Sequence, residues 1–281
     1  IASYPKSGNT WLRALISAYY FTKDGVFNEN LLKKIDQFPT RKYFVDFEYN
    51  QKIIGDTCKY WVKAQEKINL DNNLRFFKTH NAFGKINNHD FTNSQNSLGC
   101  IYIVRDPRNV ISSLKNHYEL DDEKAFNWIT NKKQFLYDVE KVDEFGFSDF
   151  QFISSWDMNY KSWKIQKKIP LKFIKYEDLL NETFIVSKEI IKFINDLTDN
   201  KKKINITKLK NSVQSTSFSK LKNNETKYGF SEAVNSQKNK QNKIKFFKLG
   251  PENNWRMILD KNLKEKLNNI FEKDLDELSY L

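Results

Sequence analysis

Apolar residues come in short runs set between longer polar stretches, and strand and helix periods alternate along the 281 residues. "IASYP" at the start predicts a short strand that stops at a turn. From Thr10, "TWLRALISAYYF" sets Leu12, Leu15, Ile16 and Tyr19 on one helical face. "LRFFKTH" predicts a second strand ending at Lys78, Thr79 and His80. "GCIYIVRD" stays apolar until Arg105, as a central parallel strand covered on both faces should. "PRNVISSLKNHY" follows as a helix with Pro107 in its first turn. "LKFIKYEDL" predicts a fourth strand, stopping at Tyr176, Glu177 and Asp178. Further helices are predicted over "DMNYKSWKIQKK", "FIVSKEIIKFIND" and "DKNLKEKLNNIFEKDLDEL".

Strands alternating with helices predict an α/β fold: a single domain over 1–281, with a central parallel sheet of four to five strands flanked by helices. No internal repeat interrupts it. The polar, lysine-rich stretch 199–248 reads as a mobile lid or a surface excursion. Polar residues gather where each strand ends, the edge at which open α/β sheets place ligands. The first strand, polar loop and helix together are phosphate-loop-like, because the free N–H groups and dipole of a helix start attract anions.

Composition narrows the class. A net charge of +12 implies attraction to anions, whether nucleotide, polyanionic glycan, nucleic acid or membrane surface. Lysine-rich runs such as "NKKKINITK" and "SQKNKQNKIK" read first as solvated surface. Two cysteines, Cys58 and Cys100, make no disulfide framework, and Cys100 lies inside an apolar run as a buried thiol would. With three histidines and no metal-type spacing, no metal site is expected. No apolar stretch approaches the roughly 20 residues that span a bilayer. The few cysteines and the lack of an exported-protein signature point to a cytoplasmic setting, although the chain begins without Met and its own start is left open.

The loop "YPKSGNTW" departs from the usual phosphate loop, G-x-x-x-x-G-K-[ST], because Lys6 precedes Gly8. In order along the chain, four segments resemble the sulfotransferase family that uses 3′-phosphoadenosine 5′-phosphosulfate (PAPS). "YPKSGNTW" resembles its loop for the 5′-phosphosulfate, usually Y-P-K-S-G-T-T-W, with Asn9 in place of a Thr. "FFKTH" resembles the strand end that carries the catalytic base, which makes His80 the candidate. "IVRDPRNVISS" resembles the 3′-phosphate segment, in which Arg105 and Ser113 would hold that phosphate. "FIKYEDL" resembles the strand with a tyrosine near the adenine, here Tyr176. A fifth segment departs. Where the family reads R-K-G-x-x-G-x-W, "FKLGPENNW" keeps Gly250 and Trp255 but offers Lys248 for the arginine and Leu249 for the lysine. One cation is thereby lost, and a lysine does not reproduce the bidentate grip of an arginine.

The resemblance implies in-line sulfuryl transfer to a hydroxyl or amine acceptor without a metal. Negative charge grows on the oxygen that bridges phosphorus and sulfur, and a cation aimed there stabilises the transition state. Lys6 would supply that cation, while the N–H groups of Ser7, Gly8, Asn9 and Thr10 and the Thr10 hydroxyl hold the 5′-phosphate. His80 would take the acceptor's proton, and Lys78, two residues earlier on the same strand face, would support the sulfuryl oxygens. Trp11 and Phe218 would sandwich the adenine, with Ser217 beside them in "TSFSKL" and Tyr176, Lys248 and Gly250 completing the donor site.

Plainer readings stand beside these. His89 and His117 read as structural or surface residues, and Trp61, Trp128, Trp156 and Trp163 as core. "RKYFVDFEYN" reads as core or as a wall of the acceptor pocket. "GCIYIVRD" also has the shape of a Walker B strand, whose Asp106 would bind Mg²⁺ in a nucleotide hydrolase, and a phosphate-loop kinase is the rival enzyme reading. A non-catalytic polyanion-binding module would use the charge alone. An alcohol, phenol or glycan acceptor is expected, with no specific nucleic acid.

Overall fold

The computed structural model describes residues 1–236, 238–239 and 241–281. Nine short strands are present among them: β1 (Ala2–Ser3), β2 (Ile35–Gln37), β3 (Phe76–Lys78), β4 (Lys85–Ile86), β5 (His89–Asp90), β6 (Cys100–Val104), β7 (Phe135–Leu136), β8 (Gln151–Phe152) and β9 (Leu171–Lys175). The helices that matter for the site are α1 (Asn9–Phe21), α2 (Trp61–Ile68), α3 (Pro107–Tyr118) and α4 (Asp122–Thr130), then α5 (Val142–Phe145) and α6 (Trp156–Ile165). They continue with α7 (Tyr176–Asn181), α8 (Thr183–Leu197), α9 (Ile206–Ser215), α10 (Phe218–Tyr228), α11 (Trp255–Ile258), α12 (Lys261–Ile270) and α13 (Glu272–Glu277). None is long and apolar enough to cross a membrane.

The main sheet is parallel, in the order β1-β6-β9, so it has three strands rather than the four or five expected. The stretch "LRFFKTH" does form β3, but β3 pairs with β2 in a separate parallel pair. The reason is the brevity of β1. It meets the β3 segment only beyond its last strand residue, at the bridge of Ala2 with Thr79. Thr79 N–H donates to the Ile1 carbonyl at 2.9 Å and Ser3 N–H to the Thr79 carbonyl at 3.2 Å.

Every residue of β6 is buried, and its alternation divides the core. Cys100, Tyr102 and Val104 pack with Trp156, Tyr160, Leu263 and Leu267 on one face, and Ile101 and Ile103 with Leu12, Ile16, Ile190 and Ile191 on the other. Helices therefore cover both faces of the sheet. Trp61, Trp156 and Trp163 are core residues, whereas Trp128 is only half-buried and stacks on Tyr118 at 4.6 Å. Both cysteines are buried free thiols.

Two boundaries differ from expectation. The β9 strand stops at Lys175, and Tyr176 opens α7 instead of ending the strand. The C-terminal helical stretch breaks at Phe271, which is buried between α12 and α13. Within 199–248 lie α9 and α10, anchored by buried Leu209 and Leu221; positions 237 and 240 of that stretch fall outside the described residues.

Asp106 caps α3 by accepting from Arg108 N–H at 2.9 Å, and the buried Arg108 guanidinium grips both of its oxygens. Arg108 also donates to Asn268 on α12 at 3.0 Å and to the Tyr280 carbonyl at 2.6 Å, locking the C-terminal layer against the sheet. Removing one partner of such a pair leaves a buried charge uncompensated. Arg108→Ala is expected to lower unfolding free energy by about 3–5 kcal/mol in urea melts; a loss below about 1 kcal/mol, the scale of a surface pair, would contradict this.

Candidate active site

The carboxyl ends of β1, β3, β6 and β9 open onto one cavity of about 2110 Å³. Its floor is the turn between β1 and α1. Lys6 adopts a left-handed conformation (φ 66°) and Gly8 another (φ 101°), so the backbone doubles back before α1 begins. Gly8 is also required by contact: a Cβ there would lie 2.6 Å from Cδ2 of Tyr176. The glycine lets the turn sit flat on the Tyr176 ring. Opposite it, the Arg105 guanidinium stacks on Tyr176 at 4.1 Å and donates to the Lys6 carbonyl at 3.3 Å, tying the turn to the end of β6.

The basic residues share this space. Burial, reinforced by Arg105 and Lys78, lowers the Lys6 ammonium to about 7, and its Nζ sits 3.9 Å from the centre of the Phe246 ring. Burial also lowers Lys78. Glu232 is their main counter-charge, with weaker contributions from Glu225 to Lys6 and from Asp36 to Lys78. Glu232 accepts from the Thr10 hydroxyl at 2.8 Å and from Arg13 at 2.5 Å. Its pKa falls to about 2 because Lys78, Arg13 and Thr10 together outweigh its burial.

His80 lies at the end of the β3 segment, and its ring Nδ1 is 2.9 Å from the Ser3 carbonyl. A carbonyl only accepts, so Nδ1 carries the proton and Nε2 keeps its lone pair. Desolvation and Lys78 lower this imidazole to about 3, which keeps it neutral. Its backbone is pinned as well, by Gln151 and Asn159. Asn9 turns back toward β1, donating to Ser3 Oγ at 3.1 Å and to the Ile1 carbonyl at 3.4 Å.

At the other end of the cavity, Asn253 donates to Ser113 Oγ at 3.3 Å and to the Asn109 carbonyl at 2.8 Å. Trp255 N–H donates to Asn109 Oδ1, so the 250–255 turn is fastened to α3. Gly250 (φ 54°) lies against Phe218, where any Cβ would come within 2.2 Å of the ring. Among the described residues, five that line the cavity keep a buried polar atom without a partner: Asn9 Oδ1, Trp11 Nε1, Arg105 Nε, His117 Nδ1 and Trp128 Nε1.

The sulfotransferase domain family model matches residues 1–279. The chain belongs to the sulfotransferase family. The luciferin sulfotransferase of Photinus pyralis is 26% identical over 258 residues, which make up 90% of this chain and 62% of that protein. This sulfotransferase chain thus spans less than two thirds of that relative's length. Two solved structures share the fold. Mouse sulfotransferase SULT7A1 complexed with PAP is 18% identical with a TM-score of 0.52, over 98% of this chain and 82% of that one. Retinol dehydratase in complex with androsterone and PAP is 16% identical with a TM-score of 0.54, over 98% and 79%.

Of the residues singled out from the sequence of this sulfotransferase, the cavity is lined by Lys6, Gly8, Asn9, Thr10, Trp11, Lys78, His80, Arg105, Ser113, Tyr176, Ser217, Phe218, Lys248 and Gly250. Ser7 is buried beneath them, its hydroxyl without a partner. Asp106, the residue a Mg²⁺-binding reading needs, gives both oxygens to Arg108. Sequence reasoning missed Glu232, which sits far along the chain in a polar run that carries no motif. It also set aside His117 and Trp128, which line the cavity. The signal for His117 was its place on α3, one helical turn beyond Ser113.

Burial and the nearby Lys6 lower His117 to about 3, as burial and Lys78 do for His80. Unfolded, each titrates near 6.5, so between that pH and about 3 the unfolded chain binds more protons. Stability is full above pH 6.5 and declines as pH falls through this window. Urea melts from pH 7 to pH 5, before most carboxylates titrate, are expected to show that decline and a shallower one in His117→Gln; equal slopes would contradict the assignment.

Proposed function

We propose that this chain transfers the sulfuryl group of PAPS to an acceptor hydroxyl, with residues 1–281 acting as one catalytic domain. The observation that carries the reading is the meeting of Lys6, Thr10, His80, Arg105 and Ser113 around one cavity. The unpartnered Arg105 Nε and Trp11 Nε1 fit a ligand that brings acceptors to that cavity.

In this reading the 5′-phosphate lies over the first turn of α1, held by the N–H groups of Ser7 to Thr10 and the Thr10 hydroxyl. Arg105, Ser113 and Lys248 hold the 3′-phosphate, with Leu249 adding no charge. Trp11, Tyr176, Ser217 and Phe218 surround the adenine, and Trp11 and Tyr176 already meet edge to face at 5.6 Å. Lys6 stabilises the bridging oxygen as the S–O bond breaks, and Lys78 supports the sulfuryl oxygens. His80 Nε2 takes the acceptor's proton; the donor's negative charge offsets the influence of Lys78 and strengthens the imidazole as a base when it is needed.

The acceptor side is lined by Tyr118, Trp128, Phe135 and Tyr137, with Gln134 and Gln151 among them. It also holds Arg41, paired with Asp149 at 2.8 Å. Flat apolar walls with a few fixed polar groups suit a planar alcohol or phenol better than an extended anionic glycan.

Thermal-shift measurements test the donor. Adenosine 3′,5′-bisphosphate should raise the melting temperature well above the effect of AMP, with ATP no better than AMP; a preference for ATP with Mg²⁺ would favour the kinase reading instead. In turnover assays, Lys6→Ala should cost more than about tenfold, roughly 1.4 kcal/mol. His80→Ala should cost about 10²–10⁴-fold; a nearly unchanged rate would remove the base assignment.

Lys6 adds a pH signature. Its ammonium, about 7 without the donor, is raised by an anion, so binding takes up a proton above pH 7. Bisphosphate affinity should fall as pH rises from 7 to 9. Calorimetry in buffers of different ionisation enthalpy should register the proton uptake, and Lys6→Arg should abolish both effects.

A further inference from the structure

We infer that Glu232 is a built-in competitor for the donor's phosphate seat, and that it sets which anions are allowed to bind there. This rests on the donor reading above. In that reading Thr10 holds the 5′-phosphate, yet its hydroxyl donates to Glu232 Oε2 at 2.8 Å. The other carboxylate oxygen takes the Arg13 guanidinium at 2.5 Å, at the inner wall of the same turn of α1. Lys6 and Lys78 feel the same charge. A carboxylate and a phosphate oxygen cannot both accept from one hydroxyl hydrogen, and two anions so close repel. The donor therefore binds only by displacing Glu232.

The means of displacement are local. Glu232 does not belong to α1 or the sheet; it sits on the 229–247 segment, beyond the end of α10. That segment is held by the Phe230, Phe246 and Phe247 cluster and by Glu225, which accepts from the Phe246 and Phe247 N–H groups. Arg13 does not depend on Glu232 alone, because its Nη2 donates to the Leu32 and Ile35 carbonyls at 3.1 and 3.0 Å. When the carboxylate leaves, Arg13 keeps those two carbonyls, and the incoming phosphate takes over as the counter-charge.

The consequence is selectivity. Inorganic phosphate or sulfate matches the chemistry of the seat but has nothing else to hold, so it cannot outcompete a tethered carboxylate of high effective concentration. A nucleotide with a 3′-phosphate gains Arg105, Ser113 and Lys248 as well, and these contacts offset the displacement. Glu232 lowers the affinity of every anion alike but leaves only the doubly anchored one bound at ordinary concentrations.

The test is calorimetric titration of the whole chain with adenosine 3′,5′-bisphosphate, with and without inorganic phosphate at matched ionic strength. Glu232→Gln keeps the shape and loses the charge. It should bind the bisphosphate at least about tenfold more tightly, and phosphate should compete visibly in the variant but not in the parent. Unchanged or weaker binding by a folded variant overturns the inference and leaves the donor reading intact. Failure of the parent and the variant alike to bind the bisphosphate overturns both. If Glu232→Gln does not fold, Glu232→Asp keeps the charge for Arg13 but shortens the reach to Thr10. It should still tighten binding, and an unchanged affinity would again sink the idea.

Discussion

The cavity is organised by one electrostatic constraint: several cations are gathered, partly out of water, around one principal carboxylate, Glu232, with Glu225 and Asp36 acting more weakly. Lys6 and Lys78 are both lowered by desolvation, Arg105 lies in the same wall, and Arg13 is buried behind it on Glu232. Such a group of like charges is costly unless an anion is present to answer it. Glu232 answers part of it within the chain. The remaining cations leave room for a further anion.

That arrangement holds because the backbone around it is held from two sides. Arg105 joins the β1–α1 turn to the end of β6 and stacks on Tyr176, so three segments far apart in sequence share one contact point. Gly8 against Tyr176 and Gly250 against Phe218 are close approaches that a Cβ forbids. Asn253 and Trp255 fix the last of these segments to α3.

How much of this could be read beforehand depended on whether the cause was local. The β6 strand was plain in "GCIYIVRD" because burial on both faces leaves an unbroken apolar run. The start of α3 was equally plain, since Pro107 is a local start signal. The strand count was not, because pairing between β1 and β3 is decided by where two distant segments touch, at Thr79. Lys6, His80 and Arg105 were found through the motifs that carry them. Glu232 was not, since its meaning comes only from Thr10 and Arg13, more than two hundred positions away. The Asn9 substitution showed in the sequence, but not its redirection toward Ser3.

Ser3 has two duties: its backbone belongs to a strand of only two residues, and its carbonyl dictates the tautomer of His80. Proton affinity at Nε2 of that imidazole is thus written into sheet registry. A substitution that merely loosens the outermost hydrogen bonds of this strand, touching neither nucleotide nor acceptor, would surface in an assay as a chemical defect. Mutational maps of such a protein would then show sensitivity along the edge of the sheet that no inspection of ligand contacts accounts for.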